Sequence, residues 1–206
     1  ILGNIVYLGV AYYLWRSIYR YSDVIRGLTF NETFLYVGLG SAIFILLKTY
    51  ADWYLHYEIR EGIIAIYLTK PIDLQLYMLF ANLGSLLMNL MAITLPTAIM
   101  LGLVFRVTIP FGVGLFLFPL SLLLAFLISF SIDYFVGLMG FYSESVWGLS
   151  MTKEIINTVF SGALIPLQFF PEAMQKVLFW LPFQAIYHTP IMMLTRPDQG
   201  LDIFLP

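Results

Sequence analysis

Long apolar segments separated by short polar stretches run along almost the whole chain, and several are long enough to cross a bilayer as helices. The first, Ile1 to Trp15, is followed by arginines, which indicates the last part of a spanning helix and then an interfacial loop; a cleaved signal peptide is the alternative. The predicted spans cover about residues 1–16, 33–56, 80–105, 111–140 and 146–166. This pattern predicts an all-α integral membrane protein with a single transmembrane domain over residues 1–206, and both ends look truncated.

The second span is predicted from a capping sequence and from an apolar run that one lysine interrupts. Asn31-Glu-Thr33 is expected to cap the helix before Phe34. The run from Phe34 to Leu47 is expected to continue past Lys48 as far as Tyr54, so that all of it forms one span.

The third apolar segment, Leu74 to Phe105, is longer than a bilayer needs. As a helix it would measure about 48 Å at about 1.5 Å per residue, against a hydrocarbon core of about 30 Å. Its first two turns are therefore expected in or near the membrane interface. A tight turn is predicted at Arg106-Val-Thr-Ile-Pro110, and a polar break at Phe141-Tyr-Ser-Glu-Ser145 follows the fourth span.

The most charged stretch of the chain, His56 to Asp73, surrounds an apolar piece that is too short to span, Ile63 to Leu68. Gly62 weakens any helix that runs through it, and Pro71 ends one. The stretch therefore predicts an extension of the second helix, a break and a short interfacial helix.

The stretch from Ser161 to Pro190 is mostly apolar but cannot form one straight helix, because it contains prolines at positions 166, 171, 182 and 190. A short amphipathic helix is predicted from Glu172 to Leu181. Broken helical pieces are tolerated at membrane depth where protein or water surrounds them, which indicates a re-entrant element packed among the spans. A surface loop with a membrane-hugging helix explains the same composition equally well.

Composition supports the membrane assignment, since 61% of the residues are hydrophobic, 11% are charged and the mean hydropathy is +0.89. The formal net charge of −2 comes from scattered residues that form no basic patch, so nucleic acid is not an expected partner. There is no cysteine, which excludes disulfides and thiolate metal sites. The two histidines, His56 and His188, lack ligand-type neighbours at metal spacing, and no catalytic residues and no metal site are predicted.

Polar side chains inside the spans are costly unless they face protein or water. In the fifth span they recur at four, three and four residues, which places them on one helix face: Ser150, Glu154, Asn157 and Ser161. The third span has a similar set: Asn82, Ser85 and Asn89. These faces are interpreted either as the lining of a pathway or its gate, or as hydrogen bonds that hold the bundle together.

A charge pair is predicted between the fourth and fifth spans. Asp133 and Lys153 lie at equal distances along the chain from Ser143, near the middle of the turn between two antiparallel helices. They should therefore sit at nearly the same depth and share a salt bridge or polar cluster, while Glu154 should point toward the other polar residues of the fifth span. In the alternative, Lys153 extends to the interface and Asp133 is hydrated.

Three motifs give the chain a family resemblance. They are the block Arg60-Glu-Gly-Ile-Ile-Ala-Ile-Tyr-Leu-Thr-Lys-Pro71, the segment Ser161-Gly-Ala-Leu-Ile-Pro166 followed by Phe170-Pro171, and Leu181-Pro-Phe-Gln-Ala-Ile-Tyr187. With the order of the spans, they resemble the ABC-2-type transporter permeases, and more narrowly the bacterial branch whose permease is a six-span subunit without a fused ATPase.

The resemblance implies an ABC-2 (type V exporter-like) six-helix transmembrane bundle with a coupling helix and a re-entrant external hairpin. Its sixth span would begin at 201–206, and most of it is missing from this chain. The coupling region, 57–73, would contact the ATPase through Glu58, Arg60, Glu61, Gly62, Lys70 and Pro71. The re-entrant hairpin, 167–194, would close the exit of a central pathway, with gate residues Pro166, Phe170, Pro171 and Pro182.

The function that the resemblance implies is that of a multi-pass permease subunit of an ATP-driven exporter in the inner or plasma membrane, with an amphipathic, lipid-like or drug-like cargo. No lysine closes a phosphate-binding loop, so ATP and Mg would bind to a partner ATPase dimer and not to this chain. A second permease subunit, identical or related, and membrane lipids are the other expected partners. The distribution of Lys and Arg does not support the family orientation. An ion-coupled secondary transporter using Asp133 and Glu154, and a membrane scaffold without transport, are the alternatives.

Overall fold

A computed structural model describes residues 2–105, 111–163 and 165–196, and most of these residues are helical. The α-helices are α1 (Leu2–Ile18), α2 (Phe30–Leu47), α3 (Ala51–Arg60), α4 (Ile64–Leu68), α5 (Leu74–Asn89), α6 (Leu95–Leu103), α7 (Val113–Leu138), α8 (Trp147–Phe160), α9 (Glu172–Trp180) and α10 (His188–Thr195). A π-helical turn joins α5 to α6, and short 3₁₀ turns lie at Met139–Phe141, Leu167–Phe169 and Pro182–Ala185. The predicted turn at 106–110 and the predicted sixth span at 201–206 lie outside the described residues.

A small hairpin precedes α2 and sets where this helix begins. Strands β1 (Val24–Ile25) and β2 (Leu28–Thr29) pair antiparallel. Thr29 then caps α2, since its hydroxyl accepts from the backbone N–H of Glu32 and the Glu32 carboxylate accepts from the backbone N–H of Thr29. The predicted cap at Asn31–Thr33 is therefore wrong, because Thr29 and Glu32 already have the spacing of a capping box.

The second span contains a break that the sequence did not predict. The α2 helix ends at Leu47, the backbone of Lys48 is extended, and α3 begins at Ala51. The side chains of Lys48 and Thr49 explain the interruption, because they bind carboxylates on α8 and α7. With 18 residues, α2 alone is about 27 Å long, close to the thickness of a hydrocarbon core.

The charged stretch after α3 contains a sharp turn and a short helix. Gly62 has a φ of +73°, a conformation that suits glycine, and it separates α3 from the five-residue α4. The next long helix begins at Leu74, where the Asp73 carboxylate accepts from the backbone N–H of Leu76 at 2.9 Å. Residues 57–73 therefore form an elbow between two long helical segments.

The fifth span is shorter than predicted. The α8 helix ends at Phe160, whereas the sequence placed its end near residue 166. Gly162, with a φ of +77°, follows the helix and ends it in the left-handed conformation that is common after helix C-termini. The predicted hairpin, 167–194, contains α9, α10 and two 3₁₀ turns, and all residues of α10 are buried, mainly against α2 and α7.

The core surrounds α2, which packs against α1, α6, α10 and the π-helical turn. A second, smaller core lies between α3 and α7 and includes Leu55 and Phe130. Within the described residues, three helical stretches are long and apolar enough to cross a membrane: Phe30–Arg60, Leu74–Leu103 and Val113–Phe141. The described parts of the first and fifth predicted spans do not reach that length. The architecture is that of an all-α, multi-pass membrane protein.

Candidate functional site

A buried charge cluster joins three helices at one point. The Nζ atom of Lys153 on α8 lies 2.8 Å from Asp52 Oδ2 on α3 and 2.6 Å from Asp133 Oδ1 on α7. The side chain of Lys153 is 10% exposed, and the two carboxylates are 1% and 5% exposed. The structure thus brings together Asp133 and Lys153, the pair expected from their equal depth, and adds Asp52.

The remaining carboxylate oxygens of the cluster also have partners. The hydroxyl of Thr49 donates to Asp133 Oδ2, and the backbone N–H of Trp53 donates to Asp52 Oδ1 at 2.9 Å. Buried ionised groups require hydrogen-bond and ion-pair partners of this kind, because an unpaired charge in a low-dielectric environment has a large unfavourable free energy. With one ammonium and two carboxylates, the cluster formed by Asp52, Asp133 and Lys153 has a formal charge of −1.

Close contact between α3 and α7 makes this cluster possible. A Cβ atom on Gly137 would lie 3.1 Å from the Asp52 Cα and 3.0 Å from the Leu55 Cβ, so a larger residue would push the helices apart. Three residues further along, a Cβ on Gly140 would lie 2.7 Å from His56 Nδ1. The two glycines therefore allow α3 to lie directly on the end of α7.

A second ion pair lies next to the cluster and is more exposed. The Nζ of Lys48 is 3.2 Å from Glu154 Oε1, and their side chains are 35% and 31% exposed. The same ammonium lies over the rings of Phe44 and Tyr50. Glu154 was expected to point toward the polar face of α8, but its carboxylate reaches Lys48 instead because the break after α2 places this lysine within range.

The polar face of α8 is buried without hydrogen-bond partners in the described part of the protein. Ser150, Asn157 and Ser161 are 2%, 7% and 0% exposed. Within residues 2–105, 111–163 and 165–196, no partner reaches the side-chain oxygens of Ser150 or Ser161 or the Oδ1 of Asn157. Among the residues that the structure describes, these three atoms form a row of acceptors without partners along one helix, and no hydrogen bond to a described helix accounts for their burial.

The polar residues of the third span are arranged differently and do not join this row. Asn82 donates to the carbonyl of Met78 in its own helix, and Asn89 donates to the carbonyl of Ile45 on α2 at 3.3 Å. Ser85 is exposed. In this span, a hydrogen bond to a neighbouring helix explains the presence of Asn89, but not that of Asn82 or Ser85.

The end of α8 is tied to α2 and α10 through Tyr36. The hydroxyl of Tyr36 donates to the carbonyl of Gly162 at 2.8 Å and lies 2.9 Å from His188 Nδ1. Because the hydroxyl has one proton, His188 Nδ1–H must be the donor in the second bond. The backbone N–H of His188 also donates to the carbonyl of Ser161 at 3.0 Å. Tyr36, Gly162 and His188 together form what we call the tyrosine latch.

Glycine again permits the approach of two backbones at this latch. A Cβ on Gly40 would lie 2.9 Å from the carbonyl oxygen of Ala163, so α2 can contact the chain directly after α8. A Cβ on Gly162 would lie 2.9 Å from the Tyr36 hydroxyl. Both positions therefore require a residue without a side chain.

The predicted gate residues surround the segment that follows the latch. Pro166 is buried, Phe170 is half-buried, Pro171 precedes α9 and is exposed, and Pro182 begins a 3₁₀ turn. Phe169, beside them, packs against Trp15 of α1 with ring centres 5.4 Å apart. The segment is thus held among the helices and does not extend away from them.

Most of the predicted coupling residues are exposed at the elbow, 57–73. Glu58 is half-buried, and the exposed members are Arg60, Glu61, Gly62, Lys70 and Pro71. Arg60 and Glu61 form an ion pair of 2.9 Å on the surface. The elbow begins at the end of α3, the helix that also carries Asp52, so it is covalently continuous with the charge cluster.

A groove of about 500 Å³ opens between α1, α2 and the chain after α8. Its lining is mainly apolar, with polar groups from Asn4, Tyr7 and Ser41: Gly3, Asn4, Tyr7, Ser41, Phe44, Ile45 and Ala163. The Nδ2 of Asn4 donates to Thr97 Oγ1 at 2.9 Å, which leaves its carbonyl oxygen available. This volume is within the range of small-molecule sites.

The sequence reasoning missed Asp52, Thr49, Lys48 and Tyr36. The sequence contains a usable signal for Asp52, because a carboxylate inside a predicted span costs free energy unless it is paired, as Asp133 does. Tyr36 had none, since an aromatic residue in a span is ordinary. No group of His, Asp or Glu residues with the arrangement of a metal site occurs within the residues that the structure describes.

Comparison with protein families gives one match. The model of a family described as ABC-2 family transporter protein matches residues 5–205, which is nearly the whole chain. No curated protein and no solved structure gives a significant match.

Proposed function

The chain belongs to the ABC-2 transporter family, and we propose that it is the transmembrane permease subunit of an ATP-driven exporter. The sequence contains no phosphate-binding loop, so ATP and Mg bind to a separate ATPase dimer. The complete bundle has six spans, as the family resemblance implies. It lies in the inner or plasma membrane.

The ATPase contacts the elbow, 57–73. The observation that carries this proposal is that an exposed, charged turn and short helix interrupt a chain that is otherwise apolar. The exposed charges, including Arg60, Glu61 and Lys70, suit a polar contact with a soluble subunit.

The charge cluster links this contact to the helices of the pathway. The α3 helix carries the elbow at one end and Asp52 near the other, and Asp52 binds Lys153 on α8. Movement of the elbow is therefore transmitted to α8, whose buried face carries Ser150, Asn157 and Ser161. Their unused oxygens support the interpretation of this face as pathway lining, where water or cargo provides the missing hydrogen bonds.

The groove supports an amphipathic cargo. Its apolar lining suits acyl or ring systems, while Asn4, Tyr7 and Ser41 offer polar groups to a hydroxyl or amide. Lipid-like and drug-like molecules share this chemistry.

The segment from Ser161 to α10 acts as the exit gate, and the tyrosine latch holds it closed. Release of Gly162 would let the chain after α8 move while α2 stays in the core. Asp133 and Glu154, the carboxylates that an ion-coupled transporter would use, are both paired with lysines, which favours the ATP-driven function.

The permease works as a pair, either with an identical copy or with a related second subunit, because five or six spans form half of a pathway served by two ATPases. Mass measurement of the purified complex in detergent should give two permease chains per particle. A transport-competent particle with a single permease chain would contradict this.

The experiment for the proposed function uses co-expression of this chain with an ABC ATPase subunit from the same organism. The ATPase should co-purify with the tagged permease, and its hydrolysis in proteoliposomes should depend on the permease. A double charge reversal, Arg60→Glu with Glu61→Lys, keeps an ion pair on the surface but exchanges the positions of the two charges. It should weaken both the co-purification of the ATPase and the permease-dependent hydrolysis. Asp23→Arg with Arg26→Asp, which reverses two exposed charges at the small hairpin away from the elbow, is the matched control. Equal co-purification and hydrolysis in all three proteins would contradict the docking proposal.

A further inference from the structure

One exposed face of α1 carries two arginines and two hydroxyl groups where the helix ends. Tyr13, Arg16 and Ser17 lie on one side of α1 at helical spacing, and Arg20 follows in the turn after the helix, where its backbone N–H donates to the Ser17 carbonyl at 3.3 Å. All four are exposed, and with Tyr19 they line a cleft of about 520 Å³. We call Tyr13, Arg16, Ser17 and Arg20 the arginine face.

The guanidinium groups of this face are oriented by tyrosines and have no acidic partner among residues 2–105, 111–163 and 165–196. Arg16 donates to the hydroxyl of Tyr12 at 3.1 Å and lies 5.7 Å from the centre of its ring. Arg20 lies 6.0 Å from the ring centre of Tyr21. A guanidinium has about five N–H donors, so most of them remain available for an anion.

The arginine face follows the first apolar segment of the chain, which fits a position at the edge of the membrane. The α1 helix ends at Ile18, and the chain then forms an exposed turn and the small hairpin. Tyr13 and Tyr21 are 73% and 90% exposed, and exposed tyrosines concentrate at the depth of lipid headgroups. The phosphates of membrane lipids lie at this depth.

An apolar track leads from this face along α1 toward the membrane interior. Val6 and Val10 are 66% and 63% exposed and lie seven and three residues before Tyr13, on the same side of the helix. Leu14 beside them is 56% exposed. An acyl chain can therefore lie on this track while its headgroup reaches the arginines.

We propose that the arginine face binds the phosphate of an anionic membrane lipid, with one acyl chain along Val6 and Val10. Arginine pairs with phosphate through two parallel hydrogen bonds, and the hydroxyls of Tyr13 and Ser17 add neutral donors. Free phosphate offers the same oxygens, but it has nothing to place on the apolar track. The geometry therefore assigns the site to a lipid.

The test measures how tightly the purified protein in nanodiscs retains phosphatidylglycerol, by native mass spectrometry against a phosphatidylcholine background. Arg16→Gln with Arg20→Gln should weaken retention by roughly tenfold or more, because each basic residue near a charged membrane surface contributes about 1 kcal/mol. Lys70→Gln with Lys176→Gln removes two charges from exposed positions far along the chain from this face and is the matched control, expected to change retention by less than about threefold. Equal losses in both double variants, or no loss in either, would overturn the site.

Two further variants separate the sources of the effect. Arg16→Lys with Arg20→Lys keeps the charge but removes the bidentate geometry, so it should bind the lipid with intermediate strength. Val6→Ser with Val10→Ser should weaken phosphatidylglycerol binding while leaving the arginines intact.

Inorganic phosphate is tested on the lipid-depleted protein. If it binds in an arginine-dependent way and as tightly as phosphatidylglycerol, the site is a free-anion site and not a lipid site. Thermal unfolding of every variant checks that the fold is retained.

Discussion

The hydroxyl of Tyr36, in the central helix α2, donates a 2.8 Å hydrogen bond to the carbonyl of Gly162, where the chain leaves α8. The same hydroxyl accepts from His188 at the start of α10. One fully buried side chain thus joins both ends of the segment that we propose as the exit gate.

Removal of this hydroxyl should let the proposed gate segment open more often, while the ring at position 36 still fills the core. Tyr36→Phe leaves the Gly162 carbonyl and His188 Nδ1 without a partner, which costs about 1–3 kcal/mol of stability. The chain contains no cysteine, so a single cysteine at position 170 reports opening through its rate of reaction with a membrane-impermeant maleimide. The rate should rise in Tyr36→Phe and stay unchanged in Tyr54→Phe, whose ring is 65% exposed. Identical rates in both variants would show that the hydroxyl does not hold the gate.

Replacement of Gly162 by alanine should destabilise the tyrosine latch through backbone strain and a steric clash, not through the loss of a hydrogen-bonding group. Ala at a φ of +77° is strained by about 1–2 kcal/mol, and its Cβ would lie 2.9 Å from the Tyr36 hydroxyl. Gly148→Ala is the control, because a Cβ there meets nothing within 4 Å in the described structure. Scanning fluorimetry should show a lower Tm for Gly162→Ala alone, and an equal or higher Tm would contradict the close contact.

Loss of the central ammonium should be the most damaging single change in the charge cluster. Lys153→Met leaves Asp52 and Asp133 as buried carboxylates facing each other, at a cost of about 3–5 kcal/mol, or a fall in Tm of roughly 10 °C. Lys48→Met breaks the half-exposed pair with Glu154 and should cost about 0–1 kcal/mol.

A variant without the charges gives the sharper comparison for this cluster. Asp52→Asn with Asp133→Asn and Lys153→Met should recover most of the stability that Lys153→Met loses, since no buried charge is left unpaired. A triple variant as unstable as the single one would mean that Lys153 stabilises the fold through packing and not through charge.

The polar face of α8 can be assigned by measuring stability and activity together. Asn157 Oδ1 has no partner in the described structure, so Asn157→Leu should leave the Tm unchanged or raise it. If the face lines the pathway, the same variant should lower permease-dependent ATP hydrolysis or transport. Thr152→Val, at an exposed position of α8, should change neither quantity. A clear loss of stability in Asn157→Leu with normal activity would favour a purely structural role.

The equal distances in sequence of Asp133 and Lys153 from the turn between their helices were enough to predict that the two residues lie close together. Two antiparallel helices joined by a short turn place residues at equal distances from the turn side by side, whatever their other neighbours are. The all-α membrane architecture followed from the apolar segments in the same way.

The third member of the cluster, Asp52, depends on a break that periodicity does not reveal. The α2 helix stops at Leu47 because Lys48 and Thr49 bind carboxylates on other helices, and those contacts exist only in the folded protein. The tyrosine latch is equally nonlocal, since Tyr36 and His188 are far apart in sequence. Long-range hydrogen bonds of this kind have no local sequence signal, so they are not predictable from periodicity or spacing.

Site-specific cross-linking tests directly whether the elbow couples this permease to a separate ATPase. A benzophenone maleimide is attached to a single cysteine at position 66, on α4, or at position 174, on α9; the native residues there are 56% and 38% exposed. We expect the ATPase to be cross-linked from position 66, and not from position 174, in the complex purified with its ATPase. A cross-link from position 174, or none from position 66 in a complex that hydrolyses ATP, would contradict it.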